Sequence, residues 1–161
     1  MADSYAAVRL KALEFAVIEK EHRVRANPGS PFEGPRISCY QASVGIGKRS
    51  YCVAFVYWCY QMACNALGEP NILPRTGSTT RMSLWANSDW FLKPGQLPEP
   101  GDIWMRHKKR HTGMVWYVNA GLAEVITVEG NTYTSLDPRW GVHGRKRDMS
   151  TNTLGIIRPT W

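Results

Sequence analysis

From Tyr51 to Tyr60 the sequence reads Tyr-Cys-Val-Ala-Phe-Val-Tyr-Trp-Cys-Tyr, an apolar run with neither charge nor helix breaker. A helix that is apolar on every side has no face to offer water, so it must be buried. The run is shorter than the roughly 18 apolar residues a membrane span needs, and Gln61 follows it. The pattern predicts a core helix from about Tyr51 to Leu67, with Ser50 as its N-cap and Gly68 and Pro70 closing it.

The cover is predicted in two textures. Ala6, Leu10, Leu13 and Val17 recur at spacings of four, three and four, which predicts an amphipathic helix from Tyr5 to about Lys20. Asn27-Pro28-Gly29-Ser30-Pro31 breaks the chain. A short helix around Arg36 to Ala42, a turn at Gly45-Ile46-Gly47 and another short helix from Thr79 to Ala86 follow. After the turn cluster Leu97-Pro98-Glu99-Pro100-Gly101 the pattern becomes strand-like. Asp102 to Met105, Thr112 to Val118, Glu124 to Glu129 and Leu154 to Arg158 are β-branched or aromatic runs. Helices first and strands afterwards predict an α+β fold, with helices packed on one antiparallel sheet. With 161 residues, 43% hydrophobic and 20% charged, the chain is expected to form a single domain over residues 1–161 rather than a disordered segment. Its helical half should run to about residue 92 and its sheet half from about residue 100.

Charge narrows the partners. Twenty basic against thirteen acidic residues give a net charge of +7, which favours a polyanion such as nucleic acid, anionic lipid or anionic wall polymer. Arg106-His107-Lys108-Lys109-Arg110 and Arg145-Lys146-Arg147 concentrate this charge, each read as a solvated loop. Basic and aromatic residues do not interleave in a nucleic-acid motif. The start, Met1-Ala2-Asp3-Ser4, shows no secretory pattern, so synthesis in the cytoplasm is expected.

Cys39, Cys52, Cys59 and Cys64 form neither a CxxC pair nor a zinc-type set. They are expected to be reduced, with a disulfide from Cys39 left open. Cys52 alone falls in the first turn of the core helix, where free backbone N–H groups and the helix dipole stabilise a thiolate. Cys59 lies two turns further down the same face, in the core. Of the four histidines, His22, His107 and His143 read as solvated, whereas His111 opens a strand and is the candidate base.

If Asn119-Ala120-Gly121 is a three-residue hairpin loop, paired residues sum to 240 and Glu129 stands directly across from His111. A slip of two, to a sum of 242, brings Asn131 opposite instead. In either register a carboxylate or amide on Nδ1 of His111 would leave Nε2 to serve the thiol.

These residues resemble a known family. Ser50-Tyr51-Cys52-Val53-Ala54-Phe55-Val56-Tyr57-Trp58-Cys59 is similar to the nucleophile helix of the CHAP peptidoglycan amidases and endopeptidases, within the papain-like, NlpC-type group. Pro100-Gly101-Asp102-Ile103 followed by His111-Thr112-Gly113-Met114-Val115 resembles that family's second block, and Val128-Glu129-Gly130-Asn131-Thr132 its third. The closing Leu154-Gly155-Ile156-Ile157-Arg158-Pro159 resembles the last strand. The run from Met105 to Arg110 departs from the family in being strongly basic, and the second oxyanion donor is open among Tyr51, Tyr40 and Gln41.

The resemblance implies a papain-like cysteine hydrolase that cuts an amide bond in peptidoglycan, with Cys52, His111, Glu129 and Asn131 as its catalytic set and no cofactor or metal. The expected partner is the peptidoglycan peptide; nucleic acid and membrane are not expected, and the chain should be a monomer. Trp85, Trp90, Trp104 and Trp116 are candidates for a groove. The setting expected is an antibacterial effector, such as one delivered by type VI secretion, acting in the periplasm or wall of a target bacterium and matched by an immunity protein. A phage endolysin is the alternative setting. The alternative of another class is a basic, non-enzymatic binding module with Cys52 as a core thiol.

Overall fold

A computed structural model of the chain describes Asp3 and residues 5–160. The N-terminal reading of Met1, Ala2 and Ser4 thus lies outside the described residues. Four helices precede the sheet: α1 (Ala6–Glu21), α2 (Pro35–Ser43), α3 (Cys52–Leu67) and α4 (Thr79–Trp90). Five strands follow: β1 (Ile103–Arg106), β2 (Thr112–Asn119), β3 (Glu124–Thr132), β4 (Gly141–Asp148) and β5 (Thr153–Ile157). They form one antiparallel sheet in the order β4-β3-β2-β1-β5. The architecture is α+β, as the two textures predict.

The apolar run is the centre of the molecule. Every residue from Tyr51 to Tyr60 is buried, and α1 and α2 pack on α3 while β2 and β3 close it from the other side. Ile103, Met105, Met114, Val128, Val142 and Ile157 of the sheet belong to the same core. Trp104, Val115, Val125 and Ile156 form a smaller cluster on the opposite face of the sheet. Gly68 closes α3 in the left-handed conformation, as expected, but the N-cap residue is Tyr51, not Ser50, and no side chain caps the helix. Ser50 is engaged elsewhere, as described below.

Three other expectations are corrected. The buried face of α1 is Val8, Ala12, Leu13 and Ala16, together with the charged Arg9 and Glu19, whereas Leu10 is half exposed. A hydrophobic count places Arg9 and Glu19 outside because it does not see their partners: Arg9 meets Asp102 and Asp3, and Glu19 takes a bidentate pair from Arg36. The helix begun at Thr79 breaks at Asn87, whose backbone is non-helical, but helical structure resumes and reaches Trp90. Finally, β4 was not predicted. It carries glycines and three consecutive cations, so its sequence reads as a loop; as a strand it buries His143 rather than exposing it.

Pro100-Gly101-Asp102 positions the sheet. Gly101 takes φ +92°, and a Cβ there would stand 2.4 Å from the carbonyl oxygen of Arg9. The close approach lets Tyr60 of α3 donate to the Gly101 carbonyl at 2.8 Å. Asp102 then accepts from Arg158 beyond β5 at 2.8 Å. The first helix, the core helix and the last strand are thereby fixed to the start of β1.

Candidate active site

The site lies where the N-terminus of α3 meets one end of the sheet. Cys52 is the first residue of α3, and only 3% of it is exposed. His111 immediately precedes β2, and its carbonyl accepts from the backbone N–H of Arg106 at 2.9 Å, which pins it to β1. Its ring meets the edge of Trp104 at a centroid distance of 6.2 Å. The ring hydrogen-bonds Glu129 on one side and interacts with the Cys52 thiol, which helps to raise its pKa.

Of the two registers offered by the sequence, the structure shows the second, with a sum of 242, beyond a bulge. Asn119 pairs with Glu124, so the loop has four residues, and a bulge at Trp116 shifts the pairing to Val115 with Thr127 and Met114 with Val128. Beyond the bulge the pairs sum to 242. Continued by one residue, this register sets Glu129 across from Gly113 rather than His111. Glu129 nevertheless reaches His111, diagonally, because Gly113 has no side chain: a Cβ there would stand 2.4 Å from Cγ of Glu129. The glycine of the His-Thr-Gly block is thus the channel through which the carboxylate passes.

The ring nitrogens are also used in the opposite sense to that expected. Nε2–H donates to Oε2 of Glu129 at 2.6 Å, which leaves Nδ1 as the nitrogen for the thiol. Glu129 is wholly buried and accepts three further bonds: Arg147 Nε at 2.7 Å, Arg147 Nη2 at 2.6 Å and Thr127 Oγ1 at 2.5 Å. These donors fill the acceptor sites of an ionised carboxylate. Burial alone would raise the Glu129 carboxyl, but the bonds from Arg147 and His111 hold it at about 2. Burial likewise opposes charge on His111, yet its bonds to Cys52 and Glu129 raise it to about 9.

Asn131 lines the same cavity as His111 but makes no hydrogen bond to it among the described residues. It lies in the left-handed region (φ +57°) at the irregularity in the β3–β4 pairing, a conformation asparagine tolerates. This turn aims its amide at Ser50, with Nδ2 donating to Oγ at 2.8 Å. Oδ1 of Asn131 is buried without a partner among the described residues. The Ser50 hydroxyl in turn lies 3.9 Å from the Cys52 sulfur.

The three side chains considered for a second oxyanion donor all face inward. Tyr40 gives its proton to Glu19, Gln41 gives both amide hydrogens to the carbonyls of Phe32 and Arg49, and the Tyr51 hydroxyl is buried. Of the four tryptophans considered for a groove, Trp104 alone adjoins the site, and it is buried beneath Arg147, whose guanidinium sits 4.7 Å over its ring. Trp85 stacks on Trp90, and Trp116 lies under Lys20 against α1.

The remaining histidines and cysteines separate from this constellation. His143 is buried with Nε2 bonded to the Arg139 carbonyl, while His22 and His107 are exposed. Cys59 is fully buried, and burial pushes its thiol far up. Cys39 is an exposed free thiol. Among the described residues no three His, Cys, Asp or Glu side chains cluster as metal donors.

Sequence reasoning missed Arg147 because it followed from missing β4. Read as a strand, residues 143, 145 and 147 share one face, and that alternation was the available signal.

A family model for the CHAP domain matches residues 43–131, a span that begins at the end of α2 and ends at Asn131. No characterised protein and no solved structure matches the chain.

Proposed function

From its membership of the CHAP domain family of peptidoglycan hydrolases, to which this chain belongs, we propose that it cuts an amide bond of peptidoglycan through Cys52. The observation that carries the reading is an imidazole hydrogen-bonded at one nitrogen to a buried, ionised carboxylate and interacting with a thiol at the start of a helix. In this reading Cys52 gives its proton to Nδ1 of His111 and attacks the carbonyl as a thiolate. Glu129 supports the imidazolium through Nε2 and keeps the ring in place. The backbone N–H of Cys52, free at the helix start, faces the developing oxyanion. His111 then returns the proton to the leaving amine, and water resolves the thioester by the reverse of the same steps. Asn131 acts through Ser50, which it holds beside the sulfur.

The setting we favour is the periplasm or wall of a target bacterium, with an immunity protein guarding the producer. A neighbouring gene for a small periplasmic inhibitor would support it, and a holin gene would point to an endolysin instead.

Mass spectrometry of purified muropeptides, incubated with the chain and with its Cys52→Ala variant, tests the chemistry. The expected result is a mass gain of one water across an amide, seen with the wild type alone. Intact muropeptides with both proteins, or cleavage by both, would overturn it.

A further inference from the structure

The groove over His111 and Asn131 is walled by arginine. Arg106 enters from the end of β1, Arg110 from the β1–β2 connection, and Arg145 and Arg147 from β4, around a cavity of about 360 Å³. Tyr133 and Trp140 close one side, their rings in edge contact with centroids 5.0 Å apart. Among the described residues no aspartate or glutamate lines it.

Like the exposed Arg23, Arg49, Arg75 and Arg81, three of these cations hold no carboxylate among the described residues, but these three line one cavity. Arg9, Arg25, Arg36 and Arg158 each hold a carboxylate. Arg147 is spent on Glu129. Among the described residues Arg106, Arg110 and Arg145 make no ion pair, although they share one cavity. Strand alternation on β4 sharpens the contrast: Arg145 and Arg147 face the groove, whereas Lys146 between them pairs with Glu124. Gathering like charges without counter-charge costs free energy that a bound anion recovers. The guanidinium fork suits a planar carboxylate, which it can bind through two parallel hydrogen bonds.

We infer that this groove holds a free carboxylate of the peptide substrate, next to the amide that is cut. The inference rests on the peptidoglycan reading above and deepens it: the chain selects stem peptides that keep a free acid near the scissile bond, and disfavours walls in which that acid is amidated. Because His111 and Asn131 line the same cavity, the anion lies within about a residue of the reacting carbonyl, and its binding positions that carbonyl.

The test uses one disaccharide-tetrapeptide muropeptide with all its carboxylates free, and versions amidated singly at the second residue, the third residue and the terminus. Hydrolysis is measured as kcat/KM for the wild type, and binding as Kd for Cys52→Ala, which reads the groove without turnover. Amidation at one of these positions should weaken both by roughly tenfold or more, the scale of a charge-assisted hydrogen bond, and so identify the carboxylate. Arg145→Gln and Arg110→Gln should each bring that ratio towards one, and Lys146→Gln should leave it in place. Arg110 is exposed in a loop, so its replacement reports binding rather than folding.

The outcomes separate the two readings. Cleavage at equal rates with or without any of the carboxylates would overturn this inference and leave the hydrolase standing. Carboxylate-dependent binding without cleavage would uphold the groove and remove the hydrolase. A discrimination that survives in both arginine variants would place the anion site elsewhere, and absence of both binding and cleavage would overturn both readings.

Discussion

Asp102 and Glu129 are both fully buried carboxylates gripped by an arginine, and what decides between them is the third partner. Asp102 takes Arg158, the backbone N–H of Glu99 and the flank of Arg9. Those groups join the first helix, the turn before β1 and the chain beyond β5, and burial raises the Asp102 carboxyl in spite of Arg158. Glu129 takes Arg147, Thr127 and His111, and is held at about 2. Only the second set includes a group that exchanges protons near neutral pH and touches a thiol. Carboxylate plus arginine makes a staple; adding an imidazole turned towards the helix N-terminus makes an acid–base unit.

The largest expected effect breaks the unit at its reacting end. His111→Ala and Cys52→Ala should each lower muropeptide hydrolysis by about three orders of magnitude or more, and the double variant by little beyond that, because the pair works as one. Asp102→Asn should keep the rate per folded molecule. An Asp102→Asn chain that melts normally yet fails to hydrolyse would erase the distinction between the clusters.

Next comes the carboxylate itself. Glu129→Gln should slow hydrolysis by roughly a hundredfold, since it retains the shape but loses the charge behind the imidazolium. Asn131→Ala should cost about tenfold or less, because its amide reaches Ser50 and not His111. The register alone would have ranked these two the other way. A larger loss for Asn131→Ala would show that the diagonal contact across Gly113 is not the working one.

Stability reverses the order. Asp102→Ala leaves Arg158 only the exposed Glu99 and takes one carboxylate from the buried Arg9, and breaking a buried pair costs about 3–5 kcal/mol. For a chain of this size the melting temperature should then fall by roughly 10 °C. A calorimetric shift of only a degree or two would mean that Arg158 relaxes into water and that Asp102 is no staple.

The pH dependence follows from the site's two titrating groups. Glu129 lies below its ordinary value, so its contribution to stability is complete above about 4.5 and is lost as pH falls from there towards 2. His111 lies above its ordinary value, so its contribution is complete below about 6.5 and is lost as pH rises through about 9. Hydrolysis should therefore decline above about pH 9 as the imidazolium loses its proton, and the decline belongs to the His111–Cys52 pair rather than to either residue. Glu129→Gln should bring the alkaline limb to lower pH. A limb that stays in place would separate Glu129 from the titration of His111.

What the sequence made legible and what it hid fall on the two sides of this comparison. Apolar runs announce themselves: the burial of Tyr51 to Tyr60, the closure at Gly68 and the position of Cys52 at a helix start all follow from local pattern. Charged residues inside the protein do not, because their burial depends on partners distant in the chain. Arg9 with Asp102, Glu19 with Arg36 and Glu129 with Arg147 were all invisible to a hydrophobic count. The bulge at Trp116 was hidden for another reason: one extra residue leaves the alternation of β2 plausible on either side of it. Beyond the bulge the pairing is the alternative one, with a sum of 242, yet His111 and Glu129 remain associated because Gly113 clears the diagonal.

The smallest effect separates the cysteines within α3. Cys59 is fully buried against the aromatic core, so Cys59→Ala should leave hydrolysis unchanged and cost about 1 kcal/mol through a small cavity. Cys52→Ala should cost no more than that, since the methyl group keeps the backbone and loses only the sulfur at a helix end. Iodoacetamide gives the complementary measurement, with one complication from the structure: Cys39 is exposed and should be alkylated first by access alone, which makes Cys39→Ser the proper background. In that background Cys52, at the start of α3 where His111 interacts with its thiol, should react before Cys59 and Cys64. Preferential labelling of Cys59, or a Cys59→Ala chain that loses hydrolysis while Cys52→Ala retains it, would move the nucleophile two turns into the core and dissolve the comparison with Asp102.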